Sequence, residues 1–215
     1  MKRNILLLSF MILCAATGCA KKVKVTIDGR TSPSQTKLFL VVNEDTAHAV
    51  RVPINDAQFS ITVKVDQNAF IRLNDYKDWP ERSVFVLIPD SKHITVDWNT
   101  GSIEGSPMSV KLKQEIIRVR RDSPENFHID VFSEDPAAWE EAHERERATR
   151  ALMEEHQRET IQTVIRENAD SNIPAWIYFC YKSMFTDPPI PLEALVGSPT
   201  AHPKWMDHPI LKLRP

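Results

Sequence analysis

Glycine is scarce in this chain, and its scarcity excludes two common kinds of nucleotide site. The 215 residues include five glycines, at positions 18, 29, 101, 105 and 197. A P-loop and a dinucleotide-binding turn each need several closely spaced glycines, because side chains would keep the backbone away from phosphate. The Gly-x-Ser-x-Gly elbow of serine hydrolases is missing as well. We therefore expect none of these enzyme classes.

Cysteine is nearly as rare, and metal-binding patterns are missing. Cys14, Cys19 and Cys180 are the three cysteines, and no two of them form the Cys-x-x-Cys pair that thiol-disulfide oxidoreductases use. The seven histidines are scattered, with His143 and His156 thirteen positions apart. Metal ligands need convergent spacing. We predict no catalytic residue, no metal site and no cofactor, and we expect the protein not to be an enzyme.

The first residues have the organisation of an export signal. Lys2 and Arg3 give a positive start, and an apolar run over 5–14 follows that is too short to span a bilayer comfortably. Small residues over 15–18 then precede Cys19. This segment resembles the lipobox of bacterial lipoproteins, which implies that residues 1–18 are removed and that lipid is attached to Cys19. A generic signal peptide cleaved near Ala16 is the less favoured alternative.

Lipid on Cys19 would make the membrane the first partner of the protein. Several acyl chains, at about 0.8 kcal/mol per buried methylene, suffice for stable anchoring. No second apolar stretch of about 18 residues follows, so we expect lipid to be the only anchor. Lys21 and Lys22 favour anionic headgroups and lack the acidic character of surface-export signals. We predict a cell-envelope location, anchored to the outer membrane and facing the periplasm.

The charge balance argues against nucleic acid as a partner. The chain has 27 Lys and Arg against 29 Asp and Glu. Removal of residues 1–18 takes away Lys2 and Arg3 and no acidic residue, which leaves 25 against 29 and a net charge near −4. Nucleic-acid binding rests on an excess of basic residues. We expect no such partner.

Cys180 would have no cysteine left for an intrachain disulfide in the processed protein, because Cys14 leaves with the signal and Cys19 carries lipid. A single thiol in an oxidising compartment is either buried and inert or poised for exchange. The apolar residues 173–179 around it favour burial. We predict a buried Cys180.

Short alternating segments fill the region from Val23 to about Gly105. Seven strands are predicted, at 23–28, 37–42, 49–54, 59–65, 69–73, 83–88 and 93–98. The third is the weakest, and Asn55-Asp56 makes a turn before the fourth. This spacing predicts an antiparallel β-sandwich over residues 19–105.

Helical patterns replace strands over residues 106–187. Ser106-Pro107 starts a helix that ends near Arg121, and Asp135-Pro136 starts a long charged helix that runs to about Asn168. The first half of the long helix has a thin apolar stripe, so it is either exposed, which we favour, or rests on a partner. A packed helix is predicted over 171–185, and little regular structure in the Pro-rich tail 188–215. The predicted fold class is α+β.

Residues scattered along these strands resemble a known family. They are the lipobox, Ile27-Asp28-Gly29, Gln58 to Ile61, Phe85 to Pro89, His93 to Val96 and Ile103 to Ser106. Together they are similar to the domain of unknown function 4369, which occurs in lipoproteins of Bacteroides-type bacteria, commonly in front of a thioredoxin-like domain. The similarity extends through the helix and turn over 165–171. Without a Cys-x-x-Cys pair and with the sequence ending at Pro215, we expect none of the redox chemistry of the longer relatives.

One loop suggests a contact with a partner. Tyr76 and Trp79 lie among polar residues between two predicted strands, in the kind of loop that contacts a protein or a glycan. The favoured alternative is that Trp79 covers the end of the sandwich.

Three functions remain open. We favour a non-catalytic binding or scaffold module of the envelope, with an envelope protein or a glycan as partner. The alternative is an accessory subunit that supports a separately encoded thioredoxin-like oxidoreductase. A third interpretation is a shortened relative without activity.

Overall fold

The computed structural model describes residues 21–75, 85–121, 123–126, 135–186, 190–197 and 202–213. It has an α+β fold, with a β-sandwich followed by a helical layer, as the sequence predicts. The strands of the described residues are β1 Lys22–Arg30, β2 Phe39–Val42, β3 Val50–Arg51, β4 Gln58–Asp66, β5 Ile71–Asn74, β6 Phe85–Leu87, β7 His93–Asp97 and β8 Ser102–Glu104.

Sheet A has the strand order β4-β1-β7-β8. β1 and β4 pair antiparallel over nine residues each, from Lys22 opposite Asp66 to Arg30 opposite Gln58. β1 and β7 pair in parallel, so among the described strand pairs this one departs from the antiparallel arrangement that the sequence predicts. The short strand β8, which the sequence analysis missed, pairs antiparallel with β7 and forms an edge.

Sheet B has the order β3-β2-β5-β6, and all its pairs are antiparallel. The weakest predicted strand is the shortest one, since β3 has only two residues. Alternate residues of both sheets point inward and form the sandwich core, which consists of Val25, Ile27, Leu38, Leu40, Val52, Phe59, Val65, Ala69, Ile71, Leu73, Phe85, Leu87, Ile94, Val96 and Ile103. Gly29 is buried beside this core, and only glycine fits there, because a Cβ would come within 2.5 Å of the Phe59 ring.

Strands β5 and β6 are buried on both faces. All four residues of β5 and all three of β6 are buried. Antiparallel sheets commonly have one face in contact with solvent, but these two strands do not. Val86 of β6 and Phe70, which directly precedes β5, belong to a second core, the helical core, rather than to the sandwich core. The molecule therefore has three layers, which are sheet A, sheet B and the helices.

The first two helices begin where the sequence predicts, the third begins at Ile173 instead of 171, and the fourth was not predicted. Helix α1 spans Pro107–Arg121, α2 Pro136–Glu167, α3 Ile173–Tyr181 and the short α4 Leu192–Leu195. The Ser106 hydroxyl accepts the Ser109 N–H at 3.1 Å and caps α1, and the Asp135 carboxylate accepts the Ala137 N–H at 3.0 Å and caps α2. Such caps satisfy N–H groups that have no partner within the helix.

The Pro-rich tail contributes buried side chains to the helical core. Its described regular structure is limited to α4 and to 3-10 segments over Lys204–Asp207 and Pro209–Lys212, each four residues long, in line with the sparse structure predicted. Yet Leu195, Trp205 and Ile210 are almost fully buried. The tail packs against α3 and Phe70 and completes the helical core.

Candidate functional site

Three predicted site residues lie outside the described part of the chain. They are Cys19, the predicted lipid attachment, and Tyr76 and Trp79, the predicted partner contact. Lipid attachment and the loop contact therefore remain predictions.

Cys180 is exposed, and the prediction of a buried thiol is wrong. The first half of α3 is buried from Ile173 to Ile177, whereas Tyr178 and Phe179 are only half-buried. Tyr178, Phe179 and Tyr181 still pack against the helical core, so Cys180 lies on the side of the last turn of α3 that faces away from the core. The apolar neighbours in the sequence indicated the burial of the helix correctly but gave no information on which side of its last turn is exposed.

A buried ion pair joins Glu44 and Arg72 behind sheet B. The Nε–H group of Arg72 donates to Oε1 of Glu44 at 2.7 Å, and the side chains are 0% and 6% exposed. Burial raises the pKa of Glu44, and the adjacent guanidinium opposes that rise. Glu44 has a φ of 58° in the tight turn after β2, and Asn43 accepts the Phe70 N–H at 2.8 Å beside it. The pair holds this turn against β5 and leaves little access for a substrate.

A second polar cluster joins the end of β6 to the start of α1. The hydroxyl groups of Ser106 and Ser109 contact each other, and the Ser109 hydroxyl accepts the Ile88 N–H at 2.8 Å. The Asp90 carboxylate accepts the Met108 N–H at 2.8 Å. Both serines are buried, with exposures of 1% and 0%. Their bonds satisfy the backbone at the helix start, so the cluster has the properties of a cap and not of a nucleophile.

His208 anchors the tail to the sandwich. Its Nε2–H group donates to the Asn68 carbonyl at 2.7 Å, and its Nδ1 accepts the Ile210 N–H at 3.2 Å. The ring lies 4.8 Å from the Phe70 ring. Burial lowers the pKa of His208 below its ordinary value, so the neutral form fits this site. In the sequence, His208 is one of seven scattered histidines without a recognisable pattern, because its two partners are a remote carbonyl and a local amide.

The first part of α2, residues 136–156, is named the helix arm here. No residue of the helix arm is buried, whereas Gln157, Ile161, Val164 and Ile165 of the same helix are. Trp139 is 46% exposed and Leu152 is 73% exposed. Fifteen of its 21 residues are exposed and six are half-buried, so most side chains of the arm are accessible for contact with another molecule.

Ion pairs within α2 account for most charges of the helix arm. Arg147 pairs with Glu140 at 3.1 Å, Arg150 with Glu146 at 3.1 Å, and Arg145 contacts Glu141. Pairs spaced by four residues stabilise helices modestly. These charges already have partners on the same helix. The exposed apolar side chains of Trp139 and Leu152 are therefore the groups of the arm most available to another molecule.

Other kinds of site are not found in the described residues. Within the ranges described, no three His, Cys, Asp or Glu side chains come together as a metal site would require. A shallow depression of about 640 Å³ beside the first turn of α1 is lined by Ser106, Pro107, Val110, Lys111 and Gln114, without converging acid and base groups. Among the described helices, none combines the length and apolar character needed to cross a bilayer.

A comparison with models of known protein families gives no match, and a comparison with curated proteins gives none either. The resemblance to the domain of unknown function 4369 therefore remains a prediction from the sequence.

Proposed function

We propose that the protein is a non-catalytic, lipid-anchored protein of the cell envelope that serves as a binding or scaffold module. One observation carries the proposal. The helix arm presents 21 residues without a buried side chain, on a helix whose remaining part is fixed in the helical core. An accessible helix on a rigid base is suited to contact a second protein.

The buried polar groups support a non-catalytic function. Glu44 and Arg72 hold a turn, Ser106 and Ser109 hold a helix start, and His208 holds the tail. Each is used by the fold itself. Ser106 lines the shallow depression beside α1 but is only 1% exposed, and Glu44 and Arg72 are at most 6% exposed, so a substrate has little access to these groups. General acid–base catalysis requires such access.

The proposed location rests on the N-terminal sequence. The small residues over 15–18 before Cys19 support lipid attachment there, and the basic residues that follow support retention at the outer membrane, facing the periplasm. Mass spectrometry of the N-terminal peptide of the native protein tests this directly. We expect a peptide that begins at an acylated Cys19, and an unmodified Cys19 in a longer peptide would contradict the anchor.

The proposed partner of the helix arm is another envelope protein. Tryptophan is enriched among the residues that contribute most to protein interfaces, and Trp139 lies beside His143 on the arm with ring centres 3.9 Å apart. A photo-crosslinking side chain at position 152 in cells tests this proposal. Position 50 is the matched control, because Val50 is an exposed apolar residue of the sandwich at 46% exposure.

We expect one discrete protein adduct from position 152 and no such adduct from position 50. Equal patterns at the two positions, or no adduct at position 152, would contradict the proposed role of the arm.

The second candidate function is that of an accessory subunit for a thioredoxin-like oxidoreductase. The exposure of Cys180 favours it, because an accessible thiol in the envelope is open to exchange with such an enzyme. The adduct from position 152 separates the candidates. A partner with a Cys-x-x-Cys pair supports the accessory function, and a partner without one supports the scaffold function.

A further inference from the structure

Five lysines lie together at the end of sheet A where β1 begins. They are Lys21, Lys22, Lys24, Lys64 and Lys92, and all five are exposed. We call them the lysine patch. Within the part of the chain that the structure describes, none of them takes part in an ion pair. The patch is therefore a concentration of positive charge on a protein of net negative charge.

The strand register brings the lysines together. Lys24 lies directly opposite Lys64 in the β1–β4 pair, and the Thr26 N–H donates to the Lys92 carbonyl at 2.9 Å. Opposite residues in an antiparallel pair have Cα atoms roughly 5 Å apart. Like charges placed directly opposite each other destabilise a sheet, so folding gives no reason for this pair. Asp66, opposite Lys22, is the acidic residue in register with the patch.

The distance from Cys19 to the patch is short. Lys22, the first residue of β1, follows Cys19 by three positions, and a fully extended chain covers at most about 3.5 Å per position, or roughly 10 Å in all. The Debye length at physiological ionic strength is about 8 Å. Lipid on Cys19 would therefore hold Lys22 and its neighbours within about one screening length of the headgroups.

We propose that the lysine patch binds the anionic phospholipid headgroups of the membrane that carries the anchor, and that it orients sheet A with the start of β1 towards the bilayer. The inference rests on the proposed lipid at Cys19. It adds a second contact, because a lipid anchor alone leaves the orientation of the protein free, whereas several lysines near an anionic surface fix which end faces it.

The test uses the native lipidated protein, reconstituted into vesicles of phosphatidylcholine alone or of phosphatidylcholine with phosphatidylglycerol. Lysine acetylation rates are measured by mass spectrometry at low and at high salt. Lys37 is the internal control, because it is exposed and follows the opposite end of β1. We expect Lys24, Lys64 and Lys92 to react several-fold more slowly on anionic vesicles at low salt, and Lys37 to react equally on both.

A pair of variants connects the protection to the charges. Lys64→Glu with Lys92→Glu should abolish the protection of Lys24, whereas Lys37→Glu should retain it. Both replaced patch lysines are exposed, and Lys64→Glu also removes a like-charge pair, so both proteins should fold.

The outcomes separate the patch from the anchor. One outcome is that the protein floats with both vesicle types while the patch lysines are acetylated at equal rates on both. That result would overturn the proposed role of the lysine patch and leave the anchor intact. Failure to float with phosphatidylcholine vesicles would contradict the anchor, and the inference that rests on it. Protection in intact envelopes but not on anionic vesicles would indicate an acidic protein as the occupant and would overturn the lipid assignment.

Discussion

The two parts of helix α2 are both rich in charged residues, and they differ in what holds them in place. Residues 157–167 place Ile161, Val164 and Ile165 in the helical core, and Gln157 donates to the Val119 carbonyl at 3.2 Å. Residues 136–156 have no buried side chain and are stabilised by ion pairs along the helix. Burial of side chains in the helical core, rather than helix-forming sequence, therefore distinguishes the fixed part of α2 from the accessible part.

The first prediction compares the loss of a buried ion pair with the loss of an exposed ion pair on the helix arm. Glu44→Ala removes the Glu44 carboxylate from the buried Arg72 guanidinium, and we expect a loss of about 4 kcal/mol in the free energy of unfolding. Glu141→Ala on the helix arm removes an exposed pair with Arg145, and we expect a change within about 0.5 kcal/mol. Urea titration of both variants measures the difference, and similar losses would contradict the division.

The second prediction compares apolar side chains on the two parts of α2. Ile161 is 0% exposed and Leu152 is 73% exposed. Ile161→Ala opens a cavity in the helical core, so we expect a loss of about 3 kcal/mol in unfolding free energy. Leu152→Ala removes no buried contact and should change it by at most about 0.5 kcal/mol. A large effect of Leu152→Ala on the isolated protein would show that the arm is packed.

The third prediction concerns the pH dependence of the tail contact. Burial holds the pKa of His208 below its ordinary value near 6.5, so the folded protein binds fewer protons at this site than the unfolded one. The stabilisation that the neutral His208 ring gives the folded protein is complete above that ordinary value. It is lost as the pH falls from there through the lower pKa of the folded protein. Measurements about one pH unit above and below the ordinary pKa, at roughly pH 7.5 and pH 5.5, test this. Between these two pH values, the urea midpoint of the natural protein should decrease more than that of His208→Gln.

The control for this pH experiment is His202→Gln. His202 is an exposed histidine of the same tail, 3.1 Å from Asp207. We expect the His202→Gln protein to keep the pH dependence of the natural protein. A loss of that dependence in this control, or its persistence in His208→Gln, would argue against His208 as the sensitive group.

The fourth prediction introduces a helix breaker into the arm. Proline in a helix interior costs about 3 kcal/mol or more locally. Ala148→Pro lies in the arm, so we expect helical content by circular dichroism to fall while the urea midpoint of the tertiary transition changes little. Val164→Pro lies in the core-facing part and should prevent stable folding. A fall in the tertiary midpoint for Ala148→Pro would mean that the arm belongs to the cooperative unit.

Much of the fold could be predicted from the sequence because its signals are local. Alternation along β1 and β4 predicted both strands, and Ser106-Pro107 and Asp135-Pro136 predicted two helix starts. The parallel pairing of β1 with β7 and the short β8 could not be predicted, since register between distant strands depends on the whole sheet.

The burial of individual residues was harder to predict. The apolar neighbours of Cys180 predict burial, yet the thiol is exposed because it lies on the outward side of the last turn of α3, whose other residues pack against the helical core. Trp205 and Ile210 lie in a segment rich in proline, whose composition indicates a loop and not a core contribution. The ion pair of Glu44 and Arg72 joins residues 28 positions apart, a distance over which no sequence pattern operates.

Hydrogen exchange along α2 measures the difference between its two parts amide by amide. If the helix arm is held only by its own helix, the backbone amides over 142–156 should exchange through local opening, orders of magnitude faster than those over 158–167, which should exchange only with global unfolding. Ile161→Ala should then accelerate the second group more than the first. Equal protection along the whole helix would contradict the claim that the arm lies outside the core.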